Sequence, residues 1–259
     1  MLEFCKVERD EHLLLVTLNR PDVMNALHRP ANLELEKVFN DFSTDPELWV
    51  CIVTGAGDKA FSAGNDLKYL AAGNDATVPP SGFGGLTARF DLDKPVIAAV
   101  NGLALGGGFE IALACDIIVA AENASFGLPE PRVGLAATAG GLLRLTRQIP
   151  VKQAMSMILT GRSVTAEEGL RLGFVNEVTP EGACLERAKS LAREIIANSP
   201  LAVRAAKHIA YRGLDCVDLE TLYRAQRNLP VAQTLYGSAD ALEGPKAFSE
   251  RRKPVWLGR

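Results

Sequence analysis

"LALGGGFEIALACD", residues 103–116, sets three consecutive glycines, Gly106, Gly107 and Gly108, directly ahead of an apolar, helix-forming stretch that holds one acid, Glu110. Glycine costs roughly 0.5–1 kcal/mol against alanine inside a helix or strand. Three together therefore mark a backbone that turns sharply or is approached closely. The apolar run "PVIAAVNG" (95–102) comes just before them and reads as a buried strand. Strand, glycine turn and helix is an order that leaves backbone N–H groups exposed at a helix N-terminus. Glu110 follows Gly107 by three residues, about one turn or ~4.5 Å along the axis, so amide and carboxylate can face one cavity. Taken alone, the stretch also fits a close-packed helix start in which Glu110 answers the helix dipole.

Working outward, "HLLLVTLN" (12–19), "WVCIVTG" (49–55) and "CDIIVAAE" (115–122) repeat the short apolar pattern of a strand, and His12 falls in the first of them. "RPANLELEKVFNDFS" (29–43) spaces Leu33, Leu35, Val38, Phe39 and Phe42 as one helix face. Buried strands alternating with helices predict a layered α/β fold with right-handed crossovers. From about residue 181 the strand patterns stop. "EGACLERAKSLAREIIANSP", "LAVRAAKHIAYRG" and "VDLETLYRAQRNLPVAQTLYG" read as helices punctuated by Pro200, Gly213 and Gly237, with Pro230 expected to kink the last. The expected organisation is a core over 1–198 and a helical region over 199–259. No repeat of fixed period is evident. "AAGNDATVPPSGFGG" (71–85) reads as a flexible surface loop, serving as a plain connector or as a pocket wall.

Composition removes whole classes of function. The 259 residues are 47% hydrophobic and carry a formal net charge of −3, a poor match to a phosphate-neutralising nucleic-acid binder. Five scattered cysteines without a CxxC pair signal neither a zinc site nor a disulfide framework. The start "MLEFCKVERDEH" is charged, and no apolar run reaches the ~18–20 residues of a membrane span, so a soluble, cytoplasmic protein is expected. GxSxG, HExxH and GxxxxGK[ST] do not occur, and "GAG" at 55–57 lacks the rest of a dinucleotide fingerprint. None of the three histidines, His12, His28 and His208, stands in a nucleophile pair.

Two further stretches join the glycine turn. "ASFGLPEPRVG" (124–134) holds Glu130 between Pro129 and Pro131, in apolar surroundings with few backbone donors. The plain reading is a surface turn; the chemical one is a second acid–base group. Two carboxylates at one pocket repel, so at least one pKa rises and a proton can be shared. In "KAFSAGNDLKYL" (59–70), Ser62, Gly64, Asn65 and Asp66 form another turn between a strand and a short helix. Two such turns could aim two N–H donors at one oxygen.

These stretches, with "TLNRPDVMNAL", "AGGLLRL", "LTGRSVTAEEGLRLGFVNEV" and "EGPKAFSERRKP", resemble the crotonase (enoyl-CoA hydratase/isomerase) family over nearly the whole chain. The resemblance implies a crotonase-like spiral of ββα turns with a C-terminal helical trimerisation region. It also implies self-association as a trimer or a dimer of trimers, and an acyl-CoA substrate. The backbone N–H groups of Asn65 and Gly107 would form the oxyanion hole. Glu110 would act as base on water, and Glu130 would handle the proton at Cα. Contacts to the CoA thioester would come from Asp22, Val23, Met24, Ala63, Asp66, Leu67 and Gly106, with Phe248 and Arg251 supplied by a neighbouring subunit. Coenzyme A belongs to the substrate, and no separate cofactor or metal is expected.

Two features depart from many relatives. Asp22 stands where they carry a lysine, which weakens a phosphate contact there, and "GLAATAGG" (134–141) lacks the proline common in hydratases, which bears on the pocket near Glu130. Within the family, the paired glutamates point to hydration or dehydration. "GFGGLTARFDLDKPVIAAVNG" (82–102) and "ALEGPKAFSERRKPVWLGR" (241–259) resemble the carnitinyl-CoA dehydratase-like members. Sister activities, an enoyl-CoA isomerase or an aromatic acyl-CoA hydratase-lyase, and an RNA-associated binding protein on the same scaffold are the alternatives.

Overall fold

A computed structural model describes residues 2–259. The apolar runs form strands where expected, and three-residue strands too short to read from sequence complete a second sheet. Strands β1 (Cys5–Asp10) and β2 (Leu13–Leu18) make an antiparallel hairpin, followed by α1 (Arg29–Thr44). Three ββα turns come next. The first is β3 (Val50–Gly55), β4 (Ala60–Ser62) and α2 (Leu67–Ala71). The second is β5 (Val96–Val100), β6 (Leu103–Leu105) and α3 (Gly107–Ala114). The third is β7 (Ile117–Ala121), β8 (Ser125–Gly127) and, after a 3₁₀ turn over Glu130–Val133, α4 (Gly141–Gln148). Helix α5 (Val151–Thr160), β9 (Ser163–Thr165), α6 (Ala166–Leu172), β10 (Glu177–Thr179) and α7 (Cys184–Ile196) follow.

Each ββα turn places its first strand in a six-stranded sheet ordered β1-β2-β3-β5-β7-β10 and its second in a four-stranded sheet ordered β4-β6-β8-β9. This is the spiral expected of the family. The strands of the large sheet beyond the first hairpin run parallel, and β3 and β5 are buried along their whole length, as continuous apolar runs require. Phe109 of α3, Phe126 of β8 and Phe174 stack with ring centroids 5.1–5.4 Å apart and fix α3 on the small sheet. The turns escape a search for a fixed period because the stretch between α2 and β5 lengthens only the first of them.

Several expectations change. Strand β1 was hidden by its charges: Lys6, Glu8, Arg9 and Asp10 are exposed on an edge strand, where charge also blocks further pairing. His12 lies in the hairpin turn rather than in a strand, stacked on Trp49 at 3.6 Å. Leu33 of α1 faces solvent, off the apolar face. The stretch 71–85 is only half a surface loop. Ser81 to Leu86 are buried, and the Gly84 amide donates to Asn32 Oδ1 of α1 at 2.7 Å.

The chain packs into two compact units. One holds the residues up to Phe90 and Val96–Ala192; the other holds Asp91–Pro95 and Arg193–Arg259. The second unit contains α8 (Pro200–Asp215), α9 (Leu219–Ala225), α10 (Pro230–Tyr236) and α11 (Ala239–Ser249). Gly213 does not stop α8, which runs two residues past it. Pro230 does not kink a long helix but starts α10, where its missing N–H costs nothing. Within this unit Arg204 grips Asp93 through two hydrogen bonds of 2.9 and 3.1 Å. Asp240, 2% exposed, accepts from Ser199 Oγ and from the Leu257 amide, each at 2.8 Å, which ties the C-terminal segment back onto α11.

Candidate active site

The three glycines are required by what touches them. Gly106 caps α3 with a φ of 52°, and a Cβ there would lie 2.7 Å from Glu130 Oε1. A Cβ on Gly107 would strike the Phe83 ring, and one on Gly108 the carbonyl of Ser62. The glycine turn is thus wedged between the second acid, the buried half of the 71–85 stretch and the turn after β4.

That second turn meets it directly. Gly64 has a φ of 87°, and a Cβ on it would come within 2.6 Å of Leu105 O and 2.8 Å of Gly107 N. The two turns therefore touch backbone to backbone. Ser62 and Asn25 build the support. The Ser62 hydroxyl donates to Asn25 O at 2.9 Å and accepts from the Gly64 amide at 3.1 Å. Asn25 Nδ2 in turn donates to the carbonyls of Ala56 and Ala60 at 3.0 and 2.8 Å. Asn65 pairs with Leu27 in a parallel bridge whose bonds run from the Leu27 amide to Gly64 O and from the Asp66 amide to Leu27 O. That pattern leaves the Asn65 amide outside the ladder. Gly107 opens α3, so its N–H has no partner within the helix.

Glu110 lies one turn into α3 and is 3% exposed. Its Oε1 accepts from the Gly141 amide at 2.8 Å. Burial pushes its carboxyl up to about 7; the charge of Glu130 adds to that, while the amides of Gly141 and Ala139 and the charge of Arg144 oppose it. Glu130 opens the 3₁₀ turn; burial raises its pKa too, and its buried Oε2 has no hydrogen-bond partner. The two glutamates named from sequence are thus electrostatic neighbours, both favoured as neutral acids by desolvation.

The Glu110 shift has a consequence for stability that needs no substrate. An acid at 4.5 when unfolded and about 7 when folded leaves the native state holding the extra proton between those values. Stability should therefore fall as pH rises from about 4.5 to 7, and the penalty, about 3 kcal/mol, should persist above that. Glu110→Gln removes the titration and keeps an acceptor for Gly141. Urea unfolding should show the variant gaining on the parent across that window, by about 3 kcal/mol at pH 8. A difference independent of pH would contradict the shift.

The other predicted residues divide. Asp22 and Val23 lie in an exposed 3₁₀ turn, and Met24, with a φ of 54°, accepts from the Ala63 amide at 2.9 Å, so this loop abuts the Asn65 turn. Asp66 is already engaged: it caps α2 through the Tyr69 amide at 3.1 Å and pairs with Arg20 at 2.9 Å. Burial works against its charge, but those partners hold its carboxyl below the usual range. Leu67 opens α2 and is exposed. Phe248 and Arg251 belong to the second unit, Phe248 being 88% exposed at the end of α11 and Arg251 left-handed with a φ of 53°. His28 is half-buried between the rings of Phe4 and Tyr69. Among the described residues no cluster of three or more His, Cys, Asp or Glu could hold a metal ion, and no helix is long and apolar enough to cross a membrane.

Sequence reasoning missed Gly141 and Arg144. The signal was present: "AGGLLRL" is another glycine turn running into a helix. The stretch carries the family resemblance, and its amides hold Glu110.

Comparison with known proteins gives the family. The sequence matches the enoyl-CoA hydratase/isomerase family over residues 8–259. It is 48% identical over 263 residues to a carnitinyl-CoA dehydratase of Salmonella typhi, with 100% of both chains covered. Among solved structures, an enoyl-CoA hydratase from Mycobacterium tuberculosis superposes with a TM-score of 0.93 at 41% identity over 99% of each chain. A carnitinyl-CoA hydratase from Mycobacterium avium gives a TM-score of 0.79 at 43% identity over all of both chains. With its motifs in order, its spiral of ββα turns and matches over its full length, the chain belongs to the enoyl-CoA hydratase/isomerase (crotonase) family.

Proposed function

We propose that the protein is a hydro-lyase that adds water across the α,β-double bond of an enoyl-CoA thioester and removes it in the reverse direction, with carnitinyl-CoA as its substrate. The observation that carries this reading is the meeting of the Gly64–Asn65 and Gly106–Gly107 turns beside a buried and a half-buried glutamate, both of raised pKa.

In hydration the thioester carbonyl oxygen accepts from the amides of Asn65 and Gly107. Ionised Glu110 takes a proton from water, whose oxygen bonds to Cβ. The π electrons move through Cα to the carbonyl oxygen, and the enolate charge rests on the two amides. Protonated Glu130 then gives its proton to Cα, and the carbonyl re-forms. Dehydration runs the same steps backwards. One proton on the acid pair is required throughout, which like-charge repulsion in a buried site favours. The scheme assigns base, acid and oxyanion donors to the chain itself, so it calls for no metal, nicotinamide or flavin.

The chain would assemble as a trimer, or as a dimer of trimers, in the cytoplasm, with Phe248 and Arg251 of one subunit reaching the CoA of its neighbour. Leu214, Leu219, Tyr223 and Leu242 of the second unit are strongly exposed, as an uncovered apolar face would be. Light scattering should give a particle several times the 27.8 kDa of one chain.

A panel of enoyl-CoA thioesters including crotonobetainyl-CoA, followed by loss of the conjugated enoyl absorbance, tests the chemistry. Fastest turnover on crotonobetainyl-CoA, surviving exhaustive chelation, is the expected result. Double-bond migration without water addition would establish an isomerase instead.

A further inference from the structure

Arg144 of α4 stands behind the turn that grips Glu110. Its Nη2 donates to Thr87 O at 2.8 Å, and its guanidinium lies 5.5 Å from the ring centre of Phe90, a ring that is 83% exposed. Gly140, with a φ of 107°, is left bare because a Cβ there would collide with Arg144 Nη1. The Arg144 amide also donates to Gly140 O at 2.9 Å, so the residue clamps the turn from backbone and side chain together. That turn contributes the Gly141 amide to Glu110 Oε1, and a Cβ on Gly141 would lie 2.9 Å from Glu110 Cγ.

We propose that Arg144 is a positioning residue for Glu110: tied to Thr87, it fixes the Ala139–Gly141 turn so that the Gly141 amide stays on the carboxylate. The charged groups acting on Glu110 come from two elements, Glu130 from the 3₁₀ turn and Arg144 from α4, and they act in opposite directions. The thioester kinetics below rest on the hydration reading; the titration of Glu110 does not.

Carboxyl ¹³C NMR of glutamate-labelled protein, with the Glu110 resonance assigned by its loss in Glu110→Gln, reads the midpoint without turnover. Arg144→Gln should raise that midpoint, because a loosened turn weakens the hold of the Gly141 amide on the carboxylate. Arg144→Lys keeps a charge but not the fork, should give a smaller rise, and decides the matter if Arg144→Gln does not fold. In hydration assays Arg144→Gln should lower kcat on the acid side of the parent midpoint, by about tenfold for each pH unit the midpoint moves, far less at pH 9, with KM little changed. A uniform loss at every pH would mark a merely structural residue. A midpoint that stays in place in the variants that fold overturns the proposal. A midpoint that moves while kcat does not follow upholds it and removes Glu110 as the base.

Discussion

Glu110→Gln and Glu130→Gln should each lower the hydration rate by about 10²–10⁴-fold, the usual contribution of a general acid or base. Gln keeps the side-chain shape but exchanges no useful proton at neutral pH. The two variants should differ in a second assay, exchange of the α-hydrogens of a saturated acyl-CoA with D₂O. Enolate formation needs the amide pair and one base near Cα, so Glu130→Gln should lose exchange while Glu110→Gln keeps more of it. The environments fit such a division: Glu110 is held by the Gly141 amide, whereas Glu130 has a buried oxygen without a partner, free to meet a ligand. Because the pair acts as a unit, the double variant should lose less than the product of the single losses. Near-normal hydration by either single variant would refute the assignment. Equal loss of exchange in both would leave the acid pair and remove the division of labour.

Gly64→Ala should disable the paired turns at the candidate site. The position has a φ of 87°, and the new Cβ would sit 2.6 Å from Leu105 O and 2.8 Å from Gly107 N, both backbone atoms that cannot rotate away. The two turns must separate, which moves the Asn65 amide away from the Gly107 amide. Losing one oxyanion donor costs ~10²–10³ in kcat. Left-handed strain costs a further ~1–3 kcal/mol of stability. Gly73→Ala is the control, since Gly73 has a φ of 78° with nothing within 4 Å of a Cβ. It should show the strain in urea unfolding without the loss of kcat. A folded Gly64→Ala enzyme with kcat within about threefold of the parent would mean that the apposed amides are not the oxyanion hole.

Local chemistry in the chain was enough for the main elements and for the residues of the candidate site. Continuous apolar runs at 49–55, 95–102 and 115–122 read as buried strands, and they form parallel strands of the large sheet. Glycine runs ahead of helices marked the bare amides, and an acid confined by two prolines marked Glu130. These signals were legible because each depends on a residue and its immediate neighbours. Strands β4, β6, β8 and β9 were not legible, because three residues carry no periodicity and the small sheet exists only through pairing between distant segments. Strand β1 was masked for the opposite reason: an edge strand tolerates the charges that local reading assigns to a loop.

Tertiary structure alone decided how the site is assembled. Gly64 and Gly107 are each recognisable from their neighbours as lying in a turn open to a close approach. That they touch each other depends on β4 pairing with β6 in parallel, which sets the ends of both strands side by side. The Gly141 amide that grips Glu110 and the Arg144 charge that opposes its lift to about 7 come from one stretch 31 to 34 residues further along the chain. A pKa is set by what surrounds a group in space, and the chain order of that surrounding is invisible until the fold closes around it.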